Sequence, residues 1–183
     1  MRGRHLVWPL VAALTAAAAC TSWDPAPVER EFELGEHRVR VHAPEGWELE
    51  DQGTKKRFRN GESQIVLVDL EPATGRRTES DLERLRDLDQ FAEWGLAVLG
   101  GAGGDQRREV RSRRTVTVDL YEAVEIETWN RLDHTWPQRL LFLRVDGDLF
   151  ALHTPGRADA DTMAAFEAIL DSLHFHFAAS VRR

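Results

Sequence analysis

The sequence predicts an α+β fold in which a mainly antiparallel sheet carries helices packed on its faces. Segments that alternate apolar and polar residues follow one another through tight turns, at Gly35-Glu36, Asn60-Gly61 and Asp146-Gly147, and such turns join neighbouring strands antiparallel. Two other stretches repeat apolar residues at helical spacing. The order is strands, helix, strands, helix, with hairpins where a parallel sheet would need crossover helices.

The first predicted hairpin joins strands over Glu29–Leu34 and His37–Ala43. A two-residue turn at Gly35-Glu36 fixes the register, so that Phe32 lies opposite Val39 on an apolar face. The other face pairs an acidic residue with a basic one at three positions, which predicts a solvent-exposed face. These pairs are Glu33 with Arg38, Glu31 with Arg40, and Glu29 with His42.

Asn60-Gly61 predicts the turn of a second hairpin, between Lys55–Arg59 and Glu62–Leu70. The second of these strands has four consecutive apolar residues, from Ile65 to Val68. Such a run is typical of a strand that is covered on both faces. We therefore expect this strand inside the sheet, with another layer on each side.

A helix is predicted to begin at the capping box Ser80-Asp81-Leu82-Glu83 and to end at the glycine-rich stretch 100–104. Its apolar stripe consists of Leu85, Leu88, Ala92, Leu96 and Leu99. The glycine-rich stretch follows a helix, and its spacing does not fit G-x-G-x-x-G. It is therefore interpreted as a helix terminator and loop, and not as a phosphate-binding loop.

The second half of the chain predicts more strands and a closing helix. The helix is capped by Asp159 or Asp161 and extends to about His174, with its apolar stripe at Met163, Phe166, Ile169, Leu170 and Leu173. A tight turn at Asp146-Gly147 joins the last two strands before it. The strands are Val110–Leu120, Ala123–Trp129, Arg139–Val145 and Leu149–His153.

The N-terminus is typical of a bacterial secretion signal. Two arginines precede an apolar run from Leu6 to Ala19, which is shorter than the ~20 residues that a membrane-spanning helix needs. Cys20, the single cysteine, follows at once. Ala17-Ala18-Ala19-Cys20 resembles the lipobox of bacterial lipoproteins, which implies that residues 1–19 are removed and that Cys20 is lipidated. An ordinary signal peptide cleaved near Ala19 is the alternative.

We accordingly divide the chain into a signal peptide (1–19), a lipidated cysteine with its tether (20–28), a domain (29–177) and a C-terminal tail (178–183). The lipoprotein resemblance implies a place in the cell envelope. Because Thr21 and not Asp follows the cysteine, it implies the periplasmic face of the outer membrane where the bacterium has two membranes. The chain carries 24 Lys and Arg against 31 Asp and Glu, and this net charge of −7 is the wrong sign for a nucleic-acid partner.

Two stretches carry a second resemblance. Val41-His42-Ala43-Pro44-Glu45-Gly46-Trp47 and Phe166-Glu167-Ala168-Ile169-Leu170-Asp171-Ser172-Leu173-His174-Phe175 resemble the PsbP-like fold, which includes many small bacterial lipoproteins. The resemblance implies an α/β/α sandwich over about residues 29–177. It implies a turn shaped by Pro44 and Gly46, with Trp47 filling the core beneath it. Activity does not follow from this fold, because its members do unrelated things.

No motif of a catalytic or cofactor site is present: the sequence lacks G-x-S-x-G, a cysteine pair and His-Glu-x-x-His. We therefore expect neither enzymatic activity nor a cofactor, and predict no metal site. Glu125 and Glu127 share one face of a strand, and we interpret that face as solvent-exposed. The alternative is an envelope metal-binding protein or hydrolase with a histidine cluster formed by folding, drawn from His134, His153, His174 and His176.

The segment from Trp129 to Trp136 is the candidate contact with a partner. It places two tryptophans, an arginine and a histidine in one connection between strands, and aromatic and arginine side chains are enriched where proteins bind one another. The candidate contact residues are Trp129, Arg131, His134 and Trp136. The alternative is that both tryptophan rings fold back onto the core. The sequence thus favours a lipid-anchored, non-enzymatic binding or scaffolding module whose partner is an envelope protein or ligand.

Overall fold

The computed structural model of the protein describes residues 27–71, 75, 83, 85–100, 108–130, 137–156 and 158–177. The predicted signal peptide, Cys20 and the C-terminal tail lie outside these residues. Within them the strands pair antiparallel throughout. The elements are β1 (Val28–Leu34), β2 (His37–Ala43), β3 (Glu48–Asp51), β4 (Lys55–Asn60), β5 (Ser63–Asp69), α1 (Leu88–Gly100), β6 (Arg108–Val118), β7 (Tyr121–Asn130), β8 (Gln138–Val145), β9 (Asp148–His153), α2 (Ala160–Asp171) and β10 (His174–Phe177).

The described strands form two sheets. One has seven strands in the order β3-β4-β5-β9-β8-β7-β6, and the other has three in the order β1-β2-β10. Helix α1 packs on one face of the large sheet, against β7 and β8, whereas α2 and the small sheet cover the other face. This arrangement confirms the α+β class with helices on both faces. The division into two sheets was not predicted.

The first hairpin has the predicted register at every pair, from Leu34 opposite His37 to Glu29 opposite His42. Its charged face is exposed, as predicted, and its other face packs into the core. Gly35 has a φ of +60°, a left-handed conformation that glycine adopts without the steric cost of a Cβ. The glycine therefore sets the register through the turn that it permits.

The second hairpin turns one residue later than predicted. Asn60 pairs with Ser63, so the loop is Gly61-Glu62 and not Asn60-Gly61. This register places Phe58 opposite Ile65, and both are fully buried. Burial of this apolar pair therefore outweighs the local preference for an Asn-Gly turn. The prediction that β5 is covered on both faces is confirmed, because alternate residues of the strand belong to the two separate cores.

Helix α1 begins at Leu88, later than the predicted capping box. The predicted cap Ser80 lies outside the described residues. Asp87 stands before the first helical residue, and its Oδ1 accepts a hydrogen bond of 2.8 Å from the Gln90 amide. This is the geometry of an N-cap, which satisfies an amide that the helix leaves unpaired. The cap at Asp87 brings the apolar side of α1, including Phe91, onto the sheet.

The turn after β2 has the form that the PsbP-like resemblance implies. The Trp47 amide donates a hydrogen bond of 3.2 Å to the Pro44 carbonyl, and Gly46 has a φ of +80°. Trp47 is buried in the core between the large sheet and α2. At the other end of the domain, Asp159 and not Asp161 caps α2, by accepting a hydrogen bond from the Thr162 amide.

A groove between helix α1 and the seven-stranded sheet

A groove with a volume of about 490 Å³ lies on the α1 side of the large sheet. Strand β5 forms its floor, the C-terminal part of α1 forms one wall, and β4 borders it on the other side. This volume lies within the ~300–1,000 Å³ that is typical of small-molecule sites. We call it the α1 groove.

The apolar surface of the α1 groove follows from the alternation of β5. Successive side chains of a strand point to opposite faces, and Val66 and Val68 therefore face α1 while their neighbours face α2. Val98 and Leu99, from the last turn of α1, complete this surface and are only partly buried. Apolar side chains thus remain accessible beside the helix end.

Basic side chains border the same groove. Lys55 pairs with Val68 and Arg57 with Val66 across β4 and β5, so the two cations stand on the α1 face of the sheet. We call them the basic edge. On the far side of the floor, His153 of β9 also lies opposite Val66. The groove therefore has cations along β4 and apolar side chains along α1.

The imidazole of His153 is held in its neutral form. Burial lowers its pKa to about 4, and the positive charges of Arg108 and Lys55 act in the same direction. Among the described residues, His153 has no hydrogen-bond partner. The imidazole of His153 lines the α1 groove.

The carboxylates near the groove are engaged by other groups of the protein. Asp69 contributes to the lining, but its carboxylate accepts a hydrogen bond from the Glu71 amide and lies against Gly35 of the small sheet. Glu50 is engaged on β3, where its hydrogen bond to Arg59 lowers its pKa and its Oε2 lies 3.4 Å from Arg57 Nη1. Lys55 has no ion-pair partner in the described part of the chain.

The structure separates the histidines of the alternative hypothesis. His153 lies on the α1 face of the large sheet, whereas His174 and His176 are exposed on β10, at the edge of the small sheet. His174 Nδ1 lies 3.3 Å from Asp119, and His134 is outside the described residues. Within the described ranges, no three His, Cys, Asp or Glu side chains are arranged to hold a metal ion.

The interpretation that Glu125 and Glu127 lie on a solvent-exposed face is wrong for Glu125. Glu125 is only 5% exposed, because α2 covers its part of the sheet. Its carboxylate binds Arg139 of β8 and Arg114 of β6, and Arg139 also binds Glu167 of α2. Burial alone would lower the pKa of Arg139, but the hydrogen bonds to Glu167 and Glu125 outweigh it and raise the pKa. This ion network ties α2 to the sheet.

Trp129 is the member of the candidate partner contact that the structure describes. It is half-buried, and its indole nitrogen donates a hydrogen bond of 3.2 Å to Glu127. The guanidinium of Arg111 lies 4.7 Å from its ring centre, a geometry for cation–π attraction. Arg131, His134 and Trp136 lie outside the described residues. The candidate partner contact stays a prediction.

The sequence predicts only some of the residues that line the α1 groove. The apolar run of β5 predicted a covered face, but nothing local indicated that β9 would lie beside β5. That pairing joins residues far apart in the chain, such as Val66 and His153. The available signal was the alternation of Lys55 and Arg57 in a strand predicted to pair with β5.

The fold and the groove together define an α+β domain with a groove of small-molecule size on one face. No helix in the described residues is both long and apolar enough to span a membrane. No family model matches the sequence, and no curated protein does.

Solved structures that are similar to the chain include cyanobacterial PsbP and LpqN. Cyanobacterial PsbP (CyanoP) from Synechocystis sp. PCC 6803 is 13% identical with a TM-score of 0.46, and the match covers 87% of this chain and 99% of that chain. LpqN, which is involved in cell envelope biogenesis of Mycobacterium tuberculosis, is 13% identical with a TM-score of 0.42, over 83% of this chain and 92% of that chain. The fold class rests on the strands and helices described above, and no activity is transferred from either structure.

Proposed function

We propose that this protein is a lipid-anchored, non-enzymatic binding protein of the cell envelope, and that it holds a small molecule in the α1 groove. The observation that carries the proposal is the groove itself, where partly buried apolar side chains of α1 and the valines of β5 lie beside Lys55, a cation without an ion-pair partner among the described residues. Folded proteins cover contiguous apolar surface unless it serves an interaction. A ligand that fills the groove would cover this surface.

The groups in the groove support binding in preference to catalysis. General acid–base chemistry needs a side chain whose pKa lies near the working pH, and burial lowers the pKa of His153 to about 4. The carboxylate of Asp69 accepts a hydrogen bond from the Glu71 amide and lies against Gly35, and that of Glu50 is paired with Arg59 and Arg57. The described lining thus offers cations, a neutral imidazole and apolar contacts, which suit a site that holds a ligand unchanged.

The place of action is proposed from the N-terminal sequence. An apolar run that ends in Ala17-Ala18-Ala19-Cys20 supports export and lipidation at Cys20. The domain would then be held at a membrane surface by its acyl chains, on the periplasmic face of the outer membrane in a bacterium with two membranes. A binding protein held there has access to ligands that enter or leave the bilayer.

The groove is tested with Nile red, an uncharged dye whose fluorescence rises in apolar surroundings. We expect the wild-type domain to increase the fluorescence in a saturable way and Val98→Asp to abolish this increase, because a carboxylate would stand in the apolar wall. Ala97→Asp is the matched control, since Ala97 is exposed on the same turn of α1. Equal dye binding by the two variants would place the dye elsewhere and overturn the proposed site.

The anchor is tested by Cys20→Ser in the full chain. Without the thiol that accepts the diacylglycerol, we expect the exported protein to move from the membrane fraction to the soluble fraction and to lose the mass of the lipid. Fractionation and mass spectrometry of the N-terminal peptide measure both. A variant that stays in the membrane fraction, or a wild-type peptide with an unmodified sulfhydryl, would contradict lipid anchoring.

A further inference from the structure

We infer that the ligand of the α1 groove is an anionic amphiphile, with its acidic head group at Lys55 and Arg57 and its hydrocarbon tail against Val66, Val68 and the end of α1. This inference rests on the proposed function and names the class of its ligand. The basic edge lies along β4, and the apolar wall lies along α1 on the other side of the β5 floor. A ligand that crosses the floor would therefore meet the cations of β4 at one end and the apolar side chains Val98 and Leu99 of α1 at the other.

The basic edge is positively charged, whereas the chain as a whole carries a net negative charge. The protein carries a net charge of −7, yet Lys55 and Arg57 line the groove together with His153, and the positive charges of Arg108 and Lys55 act on that imidazole. In the described residues no carboxylate neutralises Lys55, and Arg57 shares Glu50 with Arg59. Lys55, a cation for which the described residues provide no ion-pair partner, lies beside this apolar surface, and such a pairing of charge and apolar surface is complementary to an anion that carries an apolar tail.

His153 links the binding of an anion to pH. A negative head group would oppose the positive charges that lower the pKa of His153, so the pKa would rise in the complex. At a pH between the free and the bound value, binding would take up a proton, and affinity would therefore increase as pH falls. The other charged groups that face this region are the cations Lys55, Arg57 and Arg108, the carboxylate of Glu50, which pairs with Arg57 and Arg59, and the carboxylate of Asp69, which lies against the small sheet.

The head group is tested by displacement of Nile red below the critical micelle concentration. Decyl sulfate, whose head stays ionised at every pH used, is compared with decyl maltoside, which has an uncharged head, and with inorganic sulfate, which has no tail. We expect decyl sulfate to displace the dye at a concentration at least about tenfold lower than either of the others. If decyl maltoside displaces the dye at the same concentration as decyl sulfate, the inference that the site recognises an anionic head group is wrong. If inorganic sulfate binds equally well, the inference that the site recognises a hydrocarbon tail is wrong.

Variants locate the effect in the groove. Lys55→Gln with Arg57→Gln should weaken decyl sulfate binding at least about tenfold and leave decyl maltoside unchanged. Arg38→Gln is the control, because it removes an exposed cation from the small sheet. Wild-type affinity for decyl sulfate should rise as pH falls from about 7 toward about 4, the pKa of His153 in the free protein, and His153→Gln should remove that rise. Equal loss in Arg38→Gln would show a general charge effect and refute the inference.

These outcomes separate the two proposals. If Nile red binding fails to depend on Val98, the groove is not a ligand site and the proposed function is wrong. If Nile red binds in the groove but decyl sulfate has no advantage over decyl maltoside, the proposed function stands and only the ligand class is wrong.

Discussion

Arg139→Met is expected to destabilise the domain by about 3–5 kcal/mol, because it leaves the buried carboxylate of Glu125 without its main partner. Arg139 Nε donates a hydrogen bond of 2.8 Å to Glu125, and the guanidinium also binds Glu167 and lies 4.9 Å from the centre of the Phe166 ring. The substitution therefore removes contacts to β7 and α2 together. Urea unfolding of the exported domain, followed by circular dichroism, measures the change.

Arg113→Met is the matched control for this prediction. Arg113 also binds two carboxylates, of Asp89 and Glu93, but both are well exposed to solvent. Exposed ion pairs contribute little, so we expect a change of at most about 1 kcal/mol. The double variant Glu125→Gln with Arg139→Met should recover part of the loss, because an amide costs less to bury than an unpaired charge. Equal effects of the two arginine substitutions would show that the buried network is unimportant.

The hairpins illustrate which parts of the fold the sequence could predict. The β1–β2 register follows from a local rule, a two-residue turn with glycine first, and every predicted pair is present. The position of the β4–β5 turn depends on the pairing of Phe58 with Ile65. Local turn preference predicted the loop Asn60-Gly61, whereas the observed loop is Gly61-Glu62. Sequence reasoning succeeded where neighbours in the chain decide the structure, and failed where burial decides it.

The candidate site shows the same limit more strongly. Glu125 was interpreted as exposed because its strand alternates in the ordinary way, and alternation does not reveal that α2 covers that face. The α1 groove needs β4, β5 and β9 side by side and the end of α1 beside them. The β5–β9 pair joins Val66 to His153 from far along the chain, and no local pattern specifies such a contact.

Gly95→Ala is the second substitution for which we expect a large effect. It tests whether the close packing of α1 on the sheet holds the helix beside the groove. In an exposed helix, alanine would stabilise by ~1 kcal/mol relative to glycine. At this position a Cβ would lie 2.2 Å from Cε1 of Phe142, a ring that is fully buried and packs edge-on against Phe91. Since neither ring has space to move, α1 must lift from the sheet, and we expect a net loss of about 1–3 kcal/mol.

The same displacement should weaken the groove, since α1 carries Val98 and Leu99 in its wall. We therefore expect Gly95→Ala to bind Nile red less tightly, as well as to unfold at lower urea concentration. Phe142→Leu provides the space that the new methyl group needs, so the double variant should be more stable than the sum of the two single changes implies. Strict additivity, or an alanine variant as stable as the wild type, would mean that the close approach of α1 to β8 does not hold the helix in place.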